Sequence, residues 1–123
     1  MINLGTFTDD RGTLLWASQK MLDFDYKYLT IGTMNKGTKR GGHYHKKIVE
    51  KLMCVTGSII ILIGNDEYTM HPGDVVDIPK NKVHTVFNKT NEQAIFVEFK
   101  SEEFSAEDTF TKWQDRHIIW KIE

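Results

Sequence analysis

The chain has 123 residues, 40% apolar and 27% charged, with a net charge of −1 and one cysteine. That length suits a single domain, 1–123, with a core large enough to stand without disulfides. A near-zero charge gives no general attraction for nucleic acid, and the longest apolar run, Ile59 to Ile63, is far too short to cross a bilayer.

No basic-then-apolar leader opens the chain, so the expectation is a soluble, cytoplasmic protein with neither nucleic acid nor membrane as partner. Cys54, between Met53 and Val55, reads as a buried thiol. The charges are unevenly placed. Lys36, Lys39, Arg40, Lys46, Lys47 and Lys51 crowd one stretch, and Glu98, Glu102, Glu103, Glu107 and Asp108 another. The basic stretch suits an anionic ligand such as a pyrophosphate, and equally a solvated face.

In chain order, short β-branched stretches alternate with turn residues, the pattern of an all-β sandwich or barrel. Strands are predicted at 14–17, 26–34, 42–45, 51–56, 58–63, 67–70, 75–78, 84–87 and 94–100. Gly57, Gly64-Asn65-Asp66 and His71-Pro72-Gly73-Asp74 read as turns. Ser105 stands where it would cap a short helix over 106–113, with Glu107 and Asp108 in the first turn. The stretch 117–122 reads as an edge strand or one between subunits. Nine short strands suit a jelly roll of two packed sheets.

The chemistry-bearing residues are three histidines and a glutamate. His43 and His45 are two apart on a strand and point to one side, with Tyr44 on the other. Glu50 shares its parity with Leu52 and Cys54, which places it inward. His84 opens a later strand. A solvated role is the commoner fate of any one histidine. Together the four make a full ligand set for a divalent metal with an open side.

The spacing Gly37, His43, His45, Glu50, Gly57 resembles the first motif of the cupin family in full. Gly73, Pro79, His84 and Asn88 resemble the second, with Asn81 where glycine is usual, a mild change because Asn also tolerates a left-handed turn. The resemblance implies a cupin jelly-roll β-barrel of the dTDP-rhamnose-epimerase type with a short C-terminal helical segment. It also implies that His43, His45, Glu50 and His84 surround a metal.

Three flanks narrow the branch. Asp9-Asp10-Arg11-Gly12 looks like the D-x-R-G segment of nucleotide-sugar epimerases and ketoisomerases. The run from Arg40 to Lys47 is similar to the R-G-x-H-x-H-K stretch of dTDP-sugar 3,4-ketoisomerases. Val76-Asp77-Ile78-Pro79, His84, Asn88 and the tail from Glu103 to Phe110 look most like the C-terminal cupin domain of capsular-polysaccharide reductases acting on UDP-amino-sugars. In those the cupin carries zinc and an epimerase function. The ketoisomerases commonly lack the ligand glutamate, so Glu50 favours the metal-bearing branch.

The resemblance therefore implies an epimerase or ketoisomerase of a dTDP- or UDP-linked keto sugar in surface-polysaccharide synthesis. Zinc is the first choice of metal, and Mn, Fe, Ni or Co also accept these donors. His43 and His45 serve either as ligands or as the base that removes a C–H proton, because ligation takes the lone pair a base needs. Arg11, Arg40 and Lys46 are candidates for the pyrophosphate. Tyr28, like Tyr26, is either an acid at the site or a structural aromatic. His71 and His117 read as peripheral. A homodimer is expected, with Trp16, Trp113 and Trp120 in its interface or in the core. The rival readings are an iron-dependent oxygenase and a non-catalytic sugar-binding module.

Overall fold

Two five-stranded antiparallel sheets face one another, and the alternation of side chains along their strands decides what lies between them. The computed structural model describes residues 2–10 and 12–113. The elements are β1 (Ile2–Asn3), β2 (Gly5–Asp9), β3 (Gly12–Trp16), α1 (Gln19–Leu22), β4 (Tyr28–Met34), β5 (Lys39–Tyr44) and β6 (Glu50–Thr56). Then come β7 (Ile59–Ile63), β8 (Asp66–Met70), β9 (Asp74–Ile78), β10 (His84–Phe87), β11 (Ala94–Lys100), a 3-10 turn (Ala106–Asp108) and β12 (Phe110–Thr111). One sheet runs β1-β9-β6-β11-β4 and the other β12-β5-β10-β7-β8, while β2 and β3 form a separate hairpin. The all-β jelly roll expected from the sequence is the architecture found.

Leu52, Cys54, Ile59, Ile61, Val86 and Phe96 belong to the cluster that fills the space between the sheets. Each aliphatic side chain so buried contributes about 1.5–3 kcal/mol. The opposite face of β11 is apolar too. Val97 and Phe99 pack with Val75, and Leu4 and Leu22 cover them. That second layer explains why β11 is mostly buried on both faces instead of alternating. α1, which the sequence pattern did not announce, delivers Leu22. Ser18 caps it by accepting from Met21 N–H at 3.0 Å, and Asp23 ends it in a left-handed conformation.

The helix expected over 106–113 is not formed. Only a single 3-10 turn, Ala106–Asp108, is present, and the Ser105 side chain does not cap it. Pairing with β5 wins over helix propensity there. Phe110 lies opposite Tyr44 with the rings stacked at 5.3 Å, and Lys112 N–H donates to the Gly42 carbonyl at 2.7 Å. Gly42 is left-handed (φ 65), and a Cβ there would run into the Trp113 ring.

Asn81 takes the left-handed turn its motif position requires (φ 64), and its N–H donates to the His45 carbonyl at 2.7 Å. Arg11, His117, Trp120, the stretch 117–122 and the Trp16 side chain lie outside the described residues. Among the described residues, no helix is long and apolar enough to cross a membrane.

Candidate metal centre

Two facing sheets deliver the candidate ligands from opposite sides. In one sheet, β5 and β10 pair so that His43 stands across from His84, and His45 follows just beyond β5. In the other, β6 begins at Glu50, which is opposite Ile78 of β9 and Lys100 of β11. The nitrogen atoms that His43, His45 and His84 offer all lie within 4.8 Å of one another. Glu50 Oε1 lies 2.7 Å from His45 Nε2 and 3.8 Å from His84 Nε2. The three histidines thus gather at one place, and Glu50 stands against two of them, His45 and His84.

The hydrogen bonds around them set which atoms face that point. His45 Nδ1 donates to the Asp108 carbonyl at 2.8 Å, and His84 Nδ1 to the Lys82 carbonyl at 3.3 Å. A carbonyl only accepts, so each Nδ1 carries the hydrogen, which leaves the His84 Nε2 lone pair free and turns His45 Nε2 toward Glu50 Oε1. Glu50 is fully buried. Its Oε2 accepts from Lys100 Nζ at 3.2 Å, while Oε1 faces His45 Nε2 at 2.7 Å. Imidazole nitrogens and a buried carboxylate oxygen this close together are a donor set that a divalent cation would fit. Three nitrogens and one oxygen fit zinc and other first-row divalent ions.

The electrostatics agree. Burial, with His84 and His45 alongside, pushes His43 down to about 4, so it is neutral near pH 7. Burial also lowers His84. At Glu50 burial opposes the charge, but contacts with His45, Glu98, Lys100 and His84 outweigh it and hold the carboxyl well below its ordinary range. At His45 burial is outweighed by Glu50 and the Asp108 carbonyl, which draw a proton toward it. That proton occupies the place a metal would take, so the two compete.

A cavity of about 430 Å³ opens onto His43 and His84. Thr30, Thr33, Arg40, Leu52, Phe96 and Glu98 are among the residues lining it. Arg40 is exposed at this cavity, whereas Lys46 belongs to a different one, about 660 Å³, with its ammonium 4.4 Å over the Phe110 ring. Tyr28 stands opposite Lys100, 38% exposed, outside the set lining the first cavity. His71 is exposed beside Asp74, as its turn position predicted.

Three participants were not anticipated. Asp108 accepts from the backbone N–H groups of Lys46 (3.0 Å), Lys47 (3.1 and 3.2 Å) and Ile48 (3.1 Å), pinning the segment that follows His45. Burial opposes its charge, but those N–H groups hold its carboxyl below 3.8. No spacing in the sequence marks this residue. Glu98 and Lys100 were legible in principle. They continue the inward parity of Ala94 and Phe96 along β11, which makes a Glu-x-Lys pair a buried one. Lys100 Nζ lies 2.9 Å from Glu98 Oε2. Burial and the adjacent Glu50 push Glu98 up to about 7 against the pull of Lys100.

A family model described as a cupin domain matches residues 30–100. The quercetin 2,3-dioxygenase of Bacillus subtilis is 28% identical over 79 residues, which are 63% of this chain and 23% of that protein. The chain therefore spans about a quarter of that curated relative. Among solved structures, a double mutant of the 3,4-ketoisomerase QdtA from Thermoanaerobacterium thermosaccharolyticum, in complex with TDP, superposes with a TM-score of 0.74. It is 26% identical, over 89% of this chain and 83% of that one. The capsular polysaccharide assembling protein CapF from Staphylococcus aureus superposes with a TM-score of 0.67 at 25% identity. That match covers 90% of this chain and 34% of CapF.

Proposed function

Because the chain belongs to the cupin family, we propose that it is a metal-binding isomerase, an epimerase or 3,4-ketoisomerase, acting on a dTDP- or UDP-linked keto sugar. The observation that carries this reading is the gathering of His43, His45 and His84 with a buried Glu50 oxygen, beside a cavity that Arg40 also lines. The likeness to a ketoisomerase in complex with TDP supports the substrate class, and the likeness to CapF supports a place in surface-polysaccharide synthesis.

His43, His45, His84 and Glu50 are the residues that would hold a divalent ion, zinc first among them. A bound ion would supply Lewis acidity toward a carbonyl and the negative charge that develops beside it. Epimerisation or ketone migration begins with loss of the C–H proton beside that carbonyl, and the acceptor must be in reach. Histidines that ligate have no lone pair left, which removes His43 and His45 from that role in the loaded state. Glu98 is the carboxyl on the cavity wall outside the ligand set, and it takes that proton and returns it. Arg40 engages the pyrophosphate through its planar fork. Lys46 adds attraction for an anion without reaching the cavity, and Arg11 remains a candidate for the same phosphates. Tyr28 shares the face of β4 that carries Thr30 and is the acid for a substrate extending past Glu98. The edge strand β4 exposes Leu29 and Ile31, which supports pairing with a second copy.

The test is proton exchange in D₂O, followed by NMR with dTDP- and UDP-linked 4-keto-6-deoxy sugars, with and without a chelator. Chelator-sensitive deuterium at C3 or C5 is the expected result. No incorporation with any of these substrates would overturn the isomerase reading, and sugar binding without exchange would make the chain a binding module. The likeness to quercetin 2,3-dioxygenase favours one second reading, an iron-dependent oxygenase. Iron-dependent oxygen consumption would establish it.

A further inference from the structure

We propose that Lys100 is the positioning residue of the metal centre, occupying one oxygen of Glu50 so that the carboxylate offers a metal the other oxygen alone. The inference rests on the metal-binding reading above. Lys100 ends β11, directly opposite Glu50 in the register of β6, and is 6% exposed. Lysine is almost never buried without partners, because a desolvated ammonium is costly. Here two carboxylates receive it, Glu50 Oε2 at 3.2 Å and Glu98 Oε2 at 2.9 Å. The other Glu50 oxygen, Oε1, faces His45 Nε2 at 2.7 Å and His84 Nε2 at 3.8 Å. The carboxylate is thus divided, one oxygen committed to the ammonium and one facing the imidazoles.

This division has a chemical purpose. A free carboxylate binds a cation through one oxygen or both. Binding through both would fill a coordination position that a substrate carbonyl needs. Lys100 removes that option, and the same ammonium tethers Glu98 on the cavity wall. A merely structural ion pair between β6 and β11 would do neither.

The experiment uses the full chain and zinc alone as the probe, with affinity read by chelator competition. Lys100→Met keeps the length of the side chain and removes the charge, whereas Lys100→Arg keeps the charge. The crystal structure of zinc-loaded K100M should show both Glu50 oxygens on the metal, and K100R should restore the single-oxygen contact. The crystal structure of the zinc-loaded wild type should show one Glu50 oxygen on the metal. A single Glu50 oxygen on zinc in K100M, or both on zinc in the wild type, overturns the role of Lys100 while leaving the metal site intact. A wild-type chain that binds no zinc overturns the metal reading and this inference together. If K100M does not fold, the wild-type structure decides.

Discussion

Replacing Asp108 with alanine should destabilise the fold far more than a surface aspartate would. Three backbone N–H groups end on its carboxylate, at 3.0–3.2 Å. Lys46 and Lys47 are exposed, so water replaces the lost partner there at roughly 0.5–1 kcal/mol each. Ile48 is 2% exposed, and its N–H would be left buried and unsatisfied, at roughly 2–3 kcal/mol. The sum is about 3–5 kcal/mol, which lowers the melting temperature by about 10–20 °C in a domain of this size. Asp108→Asn, keeping one acceptor oxygen, should lose about half of that.

Thermal melts followed by circular dichroism across pH supply a second check. The folded carboxyl is held below 3.8, so its contribution is complete above that value and fades only as pH falls through the lower folded value. The gap between wild type and D108A should therefore stay constant from neutrality to about pH 5 and close in stronger acid. A D108A melt within about 3 °C of wild type would refute the energetic argument. A gap that closes between pH 7 and 5 would assign the effect to a histidine instead.

The remaining predictions concern the site and one turn. His43→Ala and His45→Ala should each lose bound zinc by metal analysis while keeping a folded circular dichroism spectrum, and collapse of the fold would make the histidines structural. Arg40→Ala should weaken TDP binding roughly tenfold by calorimetry, the worth of one charge-assisted contact, and leave zinc content unchanged. Equal TDP affinity would remove Arg40 from phosphate recognition. Asn81→Gly should be near neutral, whereas Asn81→Ala should cost about 1 kcal/mol in denaturant titrations, because φ 64 is left-handed. Equal stability of all three would refute the strain argument.

What the sequence made legible followed from local rules. Strand parity alone put His43 and His45 on one side and Glu50 with Leu52 and Cys54 on the inner face; the same rule applied along β11 turns Glu98 and Lys100 inward, a pair to which the motif itself does not point. What stayed hidden was set by contacts distant in the chain. The propensity of Ser105 to Asp108 is for a helix start, and it lost to pairing with β5 some 65 residues earlier. The Asp108 carboxylate, read as a favourable charge in a helical first turn, is spent on the backbone of Lys46, Lys47 and Ile48. A short helix at Gln19–Leu22 was equally invisible, because its stabilisation comes from Leu22 packing on the back of β11.

These hidden contacts decide how the visible motif works. His45, just beyond the end of β5, is held by the Asn81 N–H on its carbonyl and by the Asp108 carbonyl on its ring. Glu50 is held by Lys100. Each proposed ligand's metal-facing atom is therefore the one its second partner leaves over, and the spacing of the motif picks out the residues without specifying those atoms. Two chains sharing the histidines and the glutamate but differing at the residues equivalent to Asp108 and Lys100 should differ in metal affinity and in the number of open coordination positions. In this chain the reactive character of the site is set from the tail and from β11 as much as from the His-x-His strand.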